Sequence, residues 1–316
     1  MLWIPAALIG CYAVFVFAPA VVAVCTIFRA KPGTDLERML APGAQFAPYA
    51  DSIRAAKTRL DAQVSKPVSI RAHDGIALSG RYYDLGSEKT AILAHGYRTE
   101  PEVNFAVQAD VFLRRGYNVL LIRQRGHEAG SEACCGLGLI ERYDVAAWNE
   151  WALAQAGAGE TVLYGVSMGA TAVGFAACDL DPARTRALVL DCGFRSPYEQ
   201  IRLDCKRRSV PGFLLMPPVR LLAKLFLKLD IKERTDNVLK RTTIPCFFLH
   251  GTADRTVPYE TGRAVFEACG ARKAFFTAEG AGHAEAFFAD PDRAEAELFT
   301  FLNGEPRTEN QQQEGL

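Results

Sequence analysis

From Met1 to Phe28 the chain carries no charged residue, and nearly every position is apolar. As a helix rising about 1.5 Å per residue, this run extends roughly 40 Å, enough to cross a bilayer with some tilt. The pattern predicts an N-terminal transmembrane helix over 1–28. A cleaved secretory signal would carry a basic start and a shorter apolar run. Residues 29–67 read as a helical connector, with one helix from Asp35 to Met39, a Pro-Gly break, and another from Ala50 to Val64. Val68 to Tyr83 predicts two short strands around the turn His73-Asp74-Gly75. A regular alternation follows. Thr90–Ala94, Asn118–Ile122, Thr161–Tyr164, Ala187–Asp191, Pro245–Leu249 and Lys273–Thr277 are short apolar runs of the kind buried on both faces of a parallel sheet. Helical patterns at about 101–115, 139–157, 169–179, 259–269 and 290–302 separate or follow them. This is an α/β domain, over 68–302, with a mainly parallel sheet flanked by helices. The polar stretch 303–316 reads as a disordered tail.

One interval breaks the alternation. About fifty residues separate the strand ending at Asp191 from the strand starting near Ile244, where a single helix would suffice. From Arg195 to Arg241 there are twelve Lys/Arg and five Asp/Glu, a local charge of +7 balanced by −7 elsewhere. Arg220, Lys224 and Lys228 recur every four residues beside Leu221, Leu222, Leu225 and Leu229, a basic amphipathic helix. Such a helix is a solvated face or, as a functional reading, part of a helical cap over about 195–241 that meets anionic lipid or an acidic substrate.

Composition narrows the function. The 316 residues are 49% hydrophobic and 23% charged, which excludes disorder, collagen and coiled coil. With 36 basic and 36 acidic side chains there is no net charge to hold a phosphate backbone, so nucleic acid is not an expected partner. Nine cysteines without a C-x-x-C pair indicate reduced thiols rather than a zinc site or disulfide framework. Arg29, Lys31 and Arg38 follow the apolar run and nothing basic precedes it, so the positive-inside rule places the domain in the cytoplasm.

The chemistry centres on Gly165-Val166-Ser167-Met168-Gly169, between a predicted strand and a predicted helix. A sharp strand-to-helix turn needs neighbours without side chains and lifts the serine oxygen above the sheet edge. It also leaves the Met168 N–H at a helix N-terminus, aimed at the same place. A serine hydroxyl needs a base. Of five histidines, His73 lies in a hairpin turn, His95 at a strand end where it orders a loop, and His250 at the end of a buried strand. His127 is the weaker rival. His283, in the glycine-flanked loop Gly280-Ala281-Gly282-His283 after a late strand, is the candidate base. Asp254, following the strand that ends in His250-Gly251, is the candidate acid that fixes the imidazole tautomer, with Asp191 as its rival. The oxyanion donors are expected to be the Met168 N–H and the Tyr97 N–H just past Gly96.

Together, His95-Gly96-Tyr97-Arg98, Arg123-Gln124-Arg125-Gly126-His127, the Gly165–Gly169 turn, Asp191-Cys192-Gly193, His250-Gly251 with Asp254, and Gly282-His283 resemble the α/β-hydrolase superfamily. The likeness is greatest to bacterial membrane-anchored hydrolases near the serine aminopeptidase and prolyl-oligopeptidase-like branch. It departs at Glu128-Ala129-Gly130-Ser131, where relatives often have Gly-x-Ser directly. The resemblance implies an α/β-hydrolase fold and a serine hydrolase with no metal or organic cofactor. Ser167 would be nucleophile, Asp254 acid, His283 base, and Tyr97 and Met168 the oxyanion donors. The expected activity is hydrolysis of an ester or thioester with an apolar acyl group, on a small-molecule or lipid-like substrate, at a membrane. An aminopeptidase-like activity is the alternative among enzymes. A non-catalytic, membrane-tethered binding protein is the alternative outside them.

Overall fold

The computed structural model describes residues 10, 13–29, 31–128, 130–131 and 133–304. Its strands are β1 (Lys66–Arg71), β2 (Ala77–Tyr83), β3 (Lys89–Ala94), β4 (Asn118–Ile122), β5 (Glu160–Val166), β6 (Thr185–Asp191), β7 (Cys246–Gly251) and β8 (Lys273–Ala278). They form one sheet in the order β1-β2-β4-β3-β5-β6-β7-β8. β1 and β2 pair antiparallel, β2 runs antiparallel to β4, and the remaining pairs are parallel. The register sets Ala94 beside Ile122 and Gly165, Val166 beside Asp191, and Gly251 beside Ala278. The carboxyl ends of the parallel strands therefore share one edge, where open α/β sheets bind ligands.

The principal helices are α1 (Ala18–Ile27), α2 (Ala50–Asp61), α3 (Ala106–Arg114), α4 (Glu141–Leu153), α5 (Met168–Ala176), α6 (Pro197–Arg207), α7 (Gly212–Phe226), α8 (Thr235–Leu239), α9 (Tyr259–Ala268) and α10 (Pro291–Asn303). The central strands read as continuous apolar runs because both faces are covered. In β4, Leu120 and Ile122 join the core containing Trp148 of α4 and Val173 of α5. Val119 and Leu121 join the opposite core with Phe112 of α3 and Leu298 of α10. Every residue of α5 is buried, so this helix fixes Ser167 from below.

Several boundaries differ from the sequence expectation. β1 takes Lys66 and Pro67 from the expected connector, and α10 takes Asn303 from the expected tail, ending on Gly304 in the left-handed conformation at φ 77°. The tail beyond Gly304 lies outside the described residues. The connector contains Leu36–Met39 and α2, and α2 packs against α3.

The expected transmembrane helix over 1–28 is not seen: among the described residues no helix is long and apolar enough to cross a membrane. Met1–Ile9, Cys11 and Tyr12 lie outside the described residues. Ala13–Phe17 is a π-helical turn, and α1 is a ten-residue helix. Ala20, Val24 and Phe28 are buried in the main core, and α1 lies against α7. The apolar side chains on this face find protein rather than lipid. Val14 and Phe15 of the π-helical turn and Val22 of α1 are exposed.

The insertion between β6 and β7 consists of α6, α7 and α8. α7 differs from the expected two-faced helix. Met216, Val219, Leu222 and Ala223 are buried, yet Phe213, Leu221, Leu225 and Phe226 are exposed, so apolar residues occupy the outer face too. The helix ends at Phe226, which leaves Lys228 beyond it with φ 58°.

Candidate active site

Ser167 sits between β5 and α5 with φ 54° and ψ −114°, a conformation unfavourable for a residue with a side chain. The flanking glycines are sterically required. A Cβ on Gly169 would fall 1.8 Å from the Ala94 carbonyl oxygen, and one on Gly165 2.3 Å from the Ala170 nitrogen. Arg98, Cys192 and Ala284 also have positive φ. These strained positions all lie on loops that meet at the sheet edge.

The structure brings together the expected three side chains. His283 Nε2 lies 2.9 Å from Ser167 Oγ, and His283 Nδ1 lies 2.8 Å from Asp254 Oδ2. Asp254 Oδ1 accepts hydrogen bonds from the Thr256 and Val257 N–H groups at 2.7 and 2.8 Å. Burial acts to raise the Asp254 pKa, but hydrogen bonds from His250 and His283, with the backbone donors, outweigh it and hold the carboxyl well below its usual range. It stays an anion facing the imidazole. With Nδ1–H directed at Asp254, Nε2 is the lone-pair side and faces the serine hydroxyl.

Asp191 does not reach His283. Its Oδ2 accepts from Tyr164 Oη at 3.2 Å, its buried Oδ1 has no hydrogen-bond partner among the described residues, and burial pushes its pKa up to about 6. Its backbone contributes directly, since the Asp191 carbonyl accepts from the Ser167 N–H at 2.8 Å.

Among the described residues, neither the Tyr97 nor the Met168 N–H donates to a protein acceptor. Two buried histidines fix the loop that carries Tyr97. His95 Nδ1–H donates to the Gly96 carbonyl at 2.7 Å, while its Nε2 accepts from the Gln124 N–H at 2.9 Å. His127 Nε2 accepts from the Arg98 N–H at 3.0 Å, and its Nδ1–H donates to the Arg125 carbonyl. Burial lowers both pKa values, keeping both rings neutral and able to accept those bonds. His127 is thus a loop brace here, and His73 is an exposed residue against Tyr143. Arg125, buried, pairs with Asp144 through two 2.6 Å bonds and with Asp74 at 2.8 Å, which ties the β4 loop to α4.

Three contributions escape a reading of the sequence. His250 Nε2 is 3.3 Å from Asp254 Oδ2 and 2.9 Å from the Val257 carbonyl, so it bridges the acid's loop. The spacing His250 to Asp254 at a strand end is the signal that could have indicated it. Gln45 of the connector donates to the His283 carbonyl, and Phe46 and Tyr49 pack on Phe288 beyond the histidine loop. The inserted α6 reaches the site as well: Gln200 and Arg207 both donate to the Thr256 carbonyl, two residues past Asp254.

Among the described residues, Cys192, Asp254 and His283 have potential metal-ligand atoms within 4.8 Å of one another. Asp254 and His283 already bond each other there, so an ion would have to displace that bond.

The fold resembles solved structures at low sequence identity. An esterase of Pyrococcus furiosus is 21% identical, with a TM-score of 0.62 over 78% of this chain and 92% of that one. A thermophilic esterase of Thermogutta terrifontis is 19% identical, TM-score 0.54, over 76% and 98%. An alpha/beta hydrolase of a Penicillium species is 17% identical, TM-score 0.59, over 76% and 98%. No sequence match is found among curated proteins. Residues 91–297 match the alpha/beta hydrolase family. That span contains β4 to β8, the turn carrying Ser167 and the loops carrying Asp254 and His283, and with it the chain belongs to the alpha/beta hydrolase family and to the hydrolase class of enzymes.

Proposed function

We propose that the protein is a serine esterase that cleaves acyl bonds through a Ser167-His283-Asp254 triad. The observation that carries this reading is the imidazole of His283, within hydrogen-bond distance of Ser167 Oγ on one side and Asp254 Oδ2 on the other. Ser167 Oγ attacks the substrate carbonyl as His283 Nε2 takes its proton. The resulting oxyanion accepts hydrogen bonds from the Tyr97 and Met168 N–H groups. The tetrahedral species collapses, the C–O bond to the leaving group breaks, and the imidazolium returns the proton to the departing alcohol. Water then repeats the sequence on the acyl-enzyme, which releases the acid and restores Ser167. Structural neighbours from Pyrococcus furiosus and Thermogutta terrifontis bear the name esterase, which supports an ester over a peptide. The apolar side chains of α7, in the same insertion as the α6 residues that bond the loop after Asp254, favour an apolar acyl group.

The test is covalent labelling by a fluorophosphonate together with hydrolysis of p-nitrophenyl esters. Labelling that maps to Ser167, and that disappears with activity in Ser167→Ala, supports the reading. A folded protein that neither labels nor hydrolyses is the non-catalytic binding protein instead.

We further propose that the protein acts at a membrane, held there through its apolar N-terminal segment, with the hydrolase domain on the cytoplasmic side. Exposed Val14, Phe15, Val22 and Leu225, with the basic side chains Arg29, Lys31 and Lys224, support attachment in the lipid interface. Protease added to intact cells is expected to leave the domain whole, and its digestion would reverse the orientation.

A further inference from the structure

A cavity of about 660 Å³ lies between α1 and α7, lined by Val21, Val24, Phe28, Leu222 and Phe226. Cys25 and Cys134 also line it, and among the described residues Arg29 is its only charged lining residue. The volume is that of a small-molecule site, which typically spans roughly 300–1,000 Å³. The walls are wrong for a peptide, whose amide groups would be left without partners. They suit a hydrocarbon chain.

The walls of the cavity are bonded to residues that surround the reaction centre. The carbonyl of Phe28 accepts from the Cys135 N–H at 2.8 Å, and Cys135 Sγ lies 3.4 Å from Met168 Sδ, next to the nucleophile. On the other side, Tyr97 Oη donates to the Ile27 carbonyl at 2.8 Å and Arg98 Nη2 to the Thr26 carbonyl at 2.8 Å. A Cβ on Gly33 would meet the Thr99 carbonyl carbon at 2.2 Å, so the chain leaving α1 lies directly on the oxyanion loop. The Cys134–Leu139 loop is itself anchored, because the buried Glu141 carboxylate accepts from the Gly136 and Gly138 N–H groups at 2.6 and 2.7 Å. α1 lies outside the residues that match the family, whereas Leu222 and Phe226 of α7 lie inside them.

We propose that the cavity between α1 and α7 binds the distal part of a long, unbranched acyl chain whose carbonyl is presented to Ser167. The N-terminal segment is then a wall of the substrate site as well as a means of attachment. This rests on the serine-esterase reading and names its substrate class. Chain carbons beyond the first few are buried against Val21, Phe28, Leu222 and Phe226, each buried methylene contributing about fourfold in transition-state binding.

Two thiols report occupancy directly. Cys25 and Cys134 are exposed and line the cavity, while Cys178 is exposed and does not. Full-length Ser167→Ala protein is treated with N-ethylmaleimide, with and without dodecanoate below its micelle concentration, and each cysteine peptide is followed by mass spectrometry. Alkylation of Cys25 and Cys134 is expected to slow about fivefold or more with dodecanoate, while Cys178 keeps its rate. Unchanged rates at Cys25 and Cys134, or equal slowing at Cys178, overturn the proposal. In the second arm, Val21→Trp narrows the cavity and is expected to lower the ratio of kcat/KM for eight-carbon over two-carbon p-nitrophenyl esters about tenfold. An unchanged ratio in folded Val21→Trp also overturns it. If that variant fails to fold, thiol protection in the unaltered cavity still decides. Fluorophosphonate labelling separates the two levels: labelled Ser167 with unprotected thiols sinks the chain site alone, whereas failure to label sinks the esterase reading.

Discussion

His283 Nδ1 lies 2.8 Å from Asp254 Oδ2, on the loop after β7, while Asp191 at the end of β6 turns its carboxylate to Tyr164. Two aspartates therefore lie at or after neighbouring strand ends, and Asp254 alone of the two bonds His283. Asp254→Asn is expected to lower kcat about 10⁴-fold by permitting the wrong imidazole tautomer. Asp191→Asn should cost less than about tenfold. Ser167→Ala should cost about 10⁶-fold in kcat, with melting close to the parent. Steady-state ester kinetics on the folded variants check all three. Greater damage from Asp191→Asn than from Asp254→Asn would transfer the acid's role.

Asp191 also makes a prediction about stability. Burial raises its folded pKa to about 6, against about 3.9 for an unfolded chain. Between those values the folded state holds a proton that the unfolded state has released, so stability falls as pH rises from about 4 to about 6. A gap of about two units corresponds to about 3 kcal/mol. Asp191→Asn keeps an acceptor for Tyr164 and removes the ionisation. Its stability relative to the parent should therefore rise across that window and then level off. Urea unfolding from pH 4 to 7 measures the difference, and a difference independent of pH would contradict the burial argument.

The parts legible in the sequence are those whose cause is local. Val119, Leu120 and Leu121 form a continuous apolar run because both faces of β4 are covered. Gly165 and Gly169 mark a turn whose sterics exclude a side chain at both positions. Contacts set by tertiary packing were hidden. Gln45 reaches a carbonyl 238 positions away, and His250 acts through a bond visible only when the loop closes on Asp254. The N-terminal run is ambiguous in the sequence for a different reason. Phe28 and Val24 have the same composition signal whether their neighbours are lipid tails or Leu222 of α7, and only packing separates the two.

The Arg125–Asp144 pair offers a test of how the site is braced. Both side chains are nearly inaccessible, at 2% and 4%, so removing one partner leaves a buried charge uncompensated. Arg125→Met should destabilise the fold by about 3–5 kcal/mol. Arg125→Met combined with Asp144→Leu should recover part of that loss, because the stranded carboxylate is gone. Denaturant unfolding of the single and double variants decides it, and additive losses would indicate that the pair is not coupled.

The last prediction concerns the seating of α1 on the oxyanion loop. A variant lacking residues 1–28 loses the buried Val24 and Phe28 side chains, each contributing about 1.5–3 kcal/mol. It also loses the bonds from Tyr97 Oη, Arg98 Nη2 and the Cys135 N–H to the carbonyls of Ile27, Thr26 and Phe28, each contributing about 1 kcal/mol. Melting should fall by about 10 °C or more, and the loop presenting the Tyr97 N–H should loosen. Because loss of one oxyanion donor costs about 10²–10³-fold, a partly misplaced donor should reduce kcat about 10- to 100-fold even for a two-carbon ester too short to reach the α1–α7 cavity. Tyr97→Phe removes only the hydroxyl bond to Ile27 and keeps the backbone donor, so it should lose less than the truncation in both measurements. Calorimetry and two-carbon ester kinetics on these two variants test the order. A truncated enzyme that melts and turns over like the full chain would show that α1 is a passive attachment and plays no part in holding the oxyanion loop.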